Sequence, residues 1–196
     1  MSHALILAVK RLLILAVLVA ACLAPLQSAT LERLSLDQMI TRSTAIVRGK
    51  VTASWAAFTG SVIYTHYKIQ VSESFKGKGQ NAVEIMVPGG TVNGLHQNFS
   101  GSPTLNRGDE FVFFLWTSSS GTSNSGITWI TGLTQGLFTL AADTTVPDRM
   151  ATRTASRELM LDAATSQSVK DIALSMRLSD LRTRIATTLA APGGGK

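Results

Sequence analysis

From Ala45 to Trp55 the chain alternates between two kinds of residue, and that rhythm constrains the fold more than any other feature. Ala45, Val47, Gly49, Val51, Ala53 and Trp55 are small or apolar, while Arg48, Lys50, Thr52 and Ser54 fill the places between. A period of two marks a strand of an antiparallel sheet with one face buried. Gly49 in mid-strand signals a bend or bulge. The rhythm returns at Ile63, Thr65, Tyr67, Ile69, Val71 and Phe75, with Tyr64, His66, Lys68, Gln70 and Ser72 on the other face. Val83, Ile85 and Val87 form a third strand, stopped by Pro88-Gly89-Gly90. Phe111 to Trp116 is apolar on both faces, which predicts burial between a barrel interior and a covering helix. Ile127–Leu133 and Gly136–Leu140 read as a fifth, kinked strand or a pair, bent at Gly132 and Gly136.

Five strands predict a mainly β fold, a small five-stranded antiparallel OB-like barrel whose closure removes exposed edges. The alternative is a β-sandwich, which uses about seven strands. Trp55, Trp116 and Trp129 are expected in the core. A short N-terminal helix over Leu34–Ser43 follows from Ser35 as cap and from Leu36, Met39 and Ile40 on one face. A C-terminal helix over 179–190 follows from Ser179 as cap, Asp180 in the first turn, and Leu181, Ile185 and Leu189 four apart. Between them, 143–178 shows only a weak pattern, a hairpin or a helix over Arg157–Ala164. Residues 30–142 are thus expected to form the barrel. Residues 143–196 are expected to form a loosely structured segment whose helix packs on it.

The N-terminus predicts export. Lys10 and Arg11 precede an unbroken apolar run from Leu12 to Ala21. That run is shorter than the roughly 20 residues a spanning helix needs, and basic residues before it are the pattern of a signal peptide. Cleavage after Ala29 gives a leader of residues 1–29. The alternative is a lipoprotein leader, residues 1–21, ending at Val19-Ala-Ala-Cys22 with Cys22 acylated. Either way the expected place is the periplasm or outside the cell, or, with Cys22 acylated, a lipid anchor on the envelope. The membrane is met only through that leader or that lipid. Cys22 is the one cysteine, so a domain cut after Ala29 has no disulfide and depends on its core.

Short strings along residues 34–140 carry a resemblance. They are Leu34 to Val51, Ile63-Tyr-Thr65, Phe75-Lys-Gly77, Val87-Pro-Gly-Gly90, Ser100-Gly-Ser-Pro103, Arg107-Gly-Asp-Glu110 and Gly132-Leu-Thr-Gln-Gly136. Together they resemble a group of uncharacterised exported bacterial proteins, a likeness that implies no activity. The order of a short helix, Val47-x-Gly-x-Val51 and a long strand ending in Phe75-Lys-Gly77 is similar to netrin-type modules. Those include tissue inhibitors of metalloproteinases, and the likeness implies an OB-like barrel. The inhibitors chelate zinc through the amine of an N-terminal cysteine, and this chain has no cysteine after Cys22.

Most chemistries lack their residues. His66 and His96 are the only histidines after His3, without the spacing of a zinc site, so neither metal nor cofactor is expected. There is no nucleophile elbow and no phosphate-binding glycine motif, and adjacent Asp109 and Glu110 are not a glycosidase pair. The net charge of +6 falls to +4 without Lys10 and Arg11 and is scattered, unlike the clustered face of a nucleic-acid binder. The remaining feature is the polar, glycine-rich stretch 89–108, too long for an ordinary connection. It predicts a non-catalytic binding module, with Asn93, His96, Gln97, Asn98, Phe99 and Arg107 as the surface and another envelope or extracellular protein as partner. The alternative is an envelope hydrolase pairing His96 with Asp109 or Glu110.

Overall fold

The computed structural model describes residues 30–119, 126–141 and 148–191. The expected leader with its two alternative cleavage sites, Cys22 and the tail 192–196 lie outside the described residues. The described chain is mainly β, with thirteen strands and two α-helices. Its centre is a ribbon of two 15-residue strands, β2 (Ala45–Thr59) and β3 (Val62–Lys76). β3 pairs with β4 (Ala82–Pro88), and β2 pairs on its other side with β7 (Glu110–Thr117). β7 then pairs with β9 (Leu137–Leu140), β9 with β10 (Met150–Arg153), and β10 with β13 (Leu174–Arg177). The short β8 (Thr128–Ile130) pairs antiparallel with β7 and meets β4 in parallel at one residue pair, Met86 and Trp129. With so thin a link, the sheet is not closed into a clear barrel.

The sheet has a core on each face. Val47, Val51, Ile69, Ile85, Phe113 and Leu115 fill the inner one. On the outer face Ile46, Val112, Phe114 and Phe138 pack under helices α1 (Leu36–Arg42) and α2 (Leu178–Ala190) through Met39, Ile40, Leu181 and Ile185. This is why Phe111–Leu115 carries no polar alternation: both faces of β7 are covered over those residues. Lys76, at the end of β3, donates to the carbonyls of Ile40 at 2.7 Å and Thr41 at 3.0 Å, capping the C-terminus of α1. The lysine of Phe75-Lys-Gly77 thus has a structural task.

Several elements differ from the sequence reading. Trp55 and Trp116 are not in the core; they are 44% and 45% exposed. The reason in β2 is a register shift between Val51 and Ala53. One extra residue at Thr52 reverses the parity, so Ala53, Trp55 and Ala57 leave the inner face. The stretch after Gly89 is partly a hairpin, β5 (Gly90–Val92) and β6 (Leu95–Gln97). Its two turn residues, Asn93 and Gly94, have φ of 51° and 78°, the left-handed pair that a tight hairpin favours. Residues 157–164 hold β11 (Leu159–Leu161) and not a helix; β11 pairs with β1 (Thr30–Glu32) and β12 (Ser168–Val169). Finally, α2 begins at Leu178 with Arg177 as its cap residue. Asp148 supplies the capping carboxylate from outside, accepting the Ser179 amide at 3.0 Å and its hydroxyl at 2.6 Å.

Candidate functional site

The residues expected to form a binding loop separate into two places. Gln97 is a structural pin: its Oε1 accepts the Ile63 amide at 2.7 Å and its Nε2 donates to the Ser61 carbonyl at 3.0 Å. The hairpin thereby lies across the inner face of the ribbon. A Cβ on Gly90 would stand 2.6 Å from Thr65 Oγ1 and 3.2 Å from Ala56 Cβ, so only glycine allows this approach. Asn93 occupies the turn and His96 bonds Thr91 Oγ1 through Nδ1 at 3.0 Å. Asn98 and Phe99 continue past the hairpin with exposed side chains. Arg107 is elsewhere, in the turn that Gly108 anchors to the Val51 carbonyl halfway along β2. Deleting residues 91–105 is therefore expected to destabilise the fold, because it uncovers Ile63 and removes the Gln97 pin. A urea midpoint matching the intact chain would contradict this.

The carboxylates named for the hydrolase alternative have other partners. Glu110 lies between Arg48 Nε and Arg149 Nη1, each at 2.7 Å. Burial pushes its carboxyl up, but the two guanidinium bonds outweigh that and hold it below the usual carboxylate range. A carboxylate so held is a weak proton acceptor. Asp109 accepts the Asn106 amide at 2.9 Å and closes the turn. Among the described residues, the His96 ring shares no hydrogen bond or ion pair with a carboxylate, and no group of three His, Cys, Asp or Glu could hold a metal.

The register brings together what the sequence kept apart. Trp55 pairs with His66, His66 with Met86, Met86 with Trp129, and Trp129 with Trp116. Register partners project from the same face, so these five side chains form one row across β2, β3, β4, β8 and β7. It contains every tryptophan of the chain. The row occupies the outer face beyond the helix layer. Trp55 stacks on the His66 ring with centroids 5.2 Å apart and planes 12° apart. His66 Nδ1 meets Glu84 Oε1 at 2.8 Å, so this outward histidine is fixed by two neighbours. Tyr64 meets the Trp129 ring edge-on at 5.3 Å.

At the Trp116 end the row opens into a groove of about 480 Å³ lined by Leu31, Leu34, Trp129, Ile130 and Gly132. An ion pair at its rim joins Arg42 Nη2 to Glu32 Oε1 at 2.7 Å; the Arg42 bond holds the Glu32 carboxyl below its ordinary range. The groove wall is braced by Gln135, which is fully buried. Its Oε1 accepts the Leu34 amide at 2.8 Å and its Nε2 donates to the Glu32 carbonyl at 2.9 Å. Sequence reasoning missed the row because parity placed Trp55 inward and nothing in the letters marks the extra residue at Thr52.

The described residues thus define a mainly β protein that carries on one sheet face a row rich in aromatics, exposed at Trp55 and Trp116 and buried at Met86. No known family model matches the chain, and no curated protein matches it in sequence.

Proposed function

We propose that the chain is an exported, non-catalytic binding module and that the aromatic row is its recognition surface. The observation that carries this reading is the gathering of all three tryptophans into one register row, with Trp55 and Trp116 each close to half exposed. Large aromatics left open to water on a rigid sheet mark interaction sites. The scaffold is best described as OB-like. β2, β3 and β4 form a meander, and β8 sits between β4 and β7, parallel to the first and antiparallel to the second. That order supports a five-stranded, partly open barrel, with the hairpin 90–97 covering the inner face of the β2–β3 ribbon.

The expected partner is a component of the envelope or the extracellular space, met after export. A tagged chain carrying Trp55→Ala and Trp116→Ala should keep its far-UV circular dichroism, since both side chains are largely outside the core. It should lose the partners that the unaltered chain captures from a native envelope fraction. Identical captured sets would end the proposal.

A further inference from the structure

The charges along this face point to the chemistry of its ligand. Glu84 bonds His66 and stands opposite Lys68 in the strand register. At the other end Arg42 and Glu32 neutralise each other. Glu84 is thus held by His66 and Glu32 by Arg42, so among the described residues neither carboxylate beside the row or the groove stands without a partner to repel or draw a charged ligand. The surface offers instead two half-exposed indoles, Trp55 and Trp116, flanked by polar side chains that remain partly open to water.

The geometry adds a second constraint. The row crosses five neighbouring strands, roughly 19 Å at about 4.8 Å per strand. A protein partner is read mainly by a few anchors, each filling a desolvated pocket. Here Trp55 and His66 stand at one end of the row and Trp129 and Trp116 at the other, with the buried Met86 between them; two aromatic platforms spaced along a sheet suit a polymer of similar units. The electron-rich face of an indole attracts weakly positive C–H groups, and a sugar ring presents a sheet of them, with hydroxyls at its edge for Glu84, Arg42 and Glu32.

From these observations we infer that the aromatic row and the adjoining groove bind an uncharged polysaccharide chain, with sugar rings lying on Trp55 and Trp116. The inference rests on the binding-module reading and specifies its ligand.

Cellohexaose and chitohexaose serve as neutral probes and hexagalacturonate as the anionic comparison, each titrated into the full exported chain. Tryptophan emission reports on the row alone, because no tryptophan lies outside it; calorimetry supplies an independent readout. At least one neutral hexasaccharide should give a saturable emission change and heat. Trp55→Ala and Trp116→Ala should each weaken that binding about tenfold, and Trp55→Phe should retain most of it. The inference is overturned if neither neutral sugar responds at roughly 10 mM. It is equally overturned if hexagalacturonate binds more tightly, or if the folded double alanine variant binds as the unaltered chain does. Sugar failure with tryptophan-dependent capture of an envelope protein sinks this inference alone. Capture indifferent to both tryptophans sinks the module reading as well.

Discussion

Replacing Asp171 with asparagine is expected to lower the unfolding free energy by about 3–5 kcal/mol, the usual consequence of leaving one partner of a buried ion pair alone. Arg153 on β10 and Asp171 before β13 are almost sealed from water, with side chains 4% and 1% exposed. Their two bonds are 2.9 and 3.0 Å long. Arg153 also donates to the Ile172 carbonyl at 2.6 Å, and Asp171 accepts the Ser156 amide at 2.8 Å. The arginine's Nε has no partner, so the site has no reserve to compensate a lost charge. Chemical denaturation in urea measures the effect. An Arg153→Met, Asp171→Leu double variant should recover part of it, because an apolar pair removes the stranded charge.

The same pair gives the protein an acid limit. Burial pushes the Asp171 carboxyl up, but the Arg153 bonds and the Ser156 amide outweigh it and hold it below the ordinary value of 3.8. The unfolded chain therefore takes up the proton more readily than the folded one. Stability from this group is complete well above pH 3.8 and is lost as pH falls through the depressed folded value. In the Asp171→Asn variant that part of the acid dependence should be missing, and a stability profile from pH 6 to about 2 tests it.

The second large effect is expected at Gln135. Its replacement by alanine leaves the buried Leu34 amide and the Glu32 carbonyl without their partners. At about 1–3 kcal/mol for each stranded polar group, the loss should reach about 2–4 kcal/mol. It should also be local: amide exchange in residues 30–34 should accelerate more than in β2 or β7. Uniform acceleration would show that Gln135 supports the whole sheet and not the N-terminal strand in particular.

Gln135 illustrates what could be read from the letters and what could not. The strands were legible because alternation is local, and α1 was legible because Ser35 as cap and Leu36, Met39 and Ile40 on one face lie within two turns. The motifs behind the resemblance were legible as strings but not as tasks. Lys76 caps a helix, Glu110 joins two arginines, and Gln135 bridges about a hundred residues of chain. Each depends on a contact distant in sequence. The aromatic row depends on register between strands far apart in the chain and on one bulge, neither of which has a local signature. Hydrophobicity placed the tryptophans inside, and the shift beyond Val51 placed Trp55 outside.

That shift divides β2 into two stretches under different rules. Up to Val51 a substitution on the inner side disturbs packing; beyond the shift, Ala53 and Trp55 are open to water and a change there leaves the core untouched. Substitutions at Ala53 and Trp55 can therefore change the outside of the sheet while the interior is inherited unchanged.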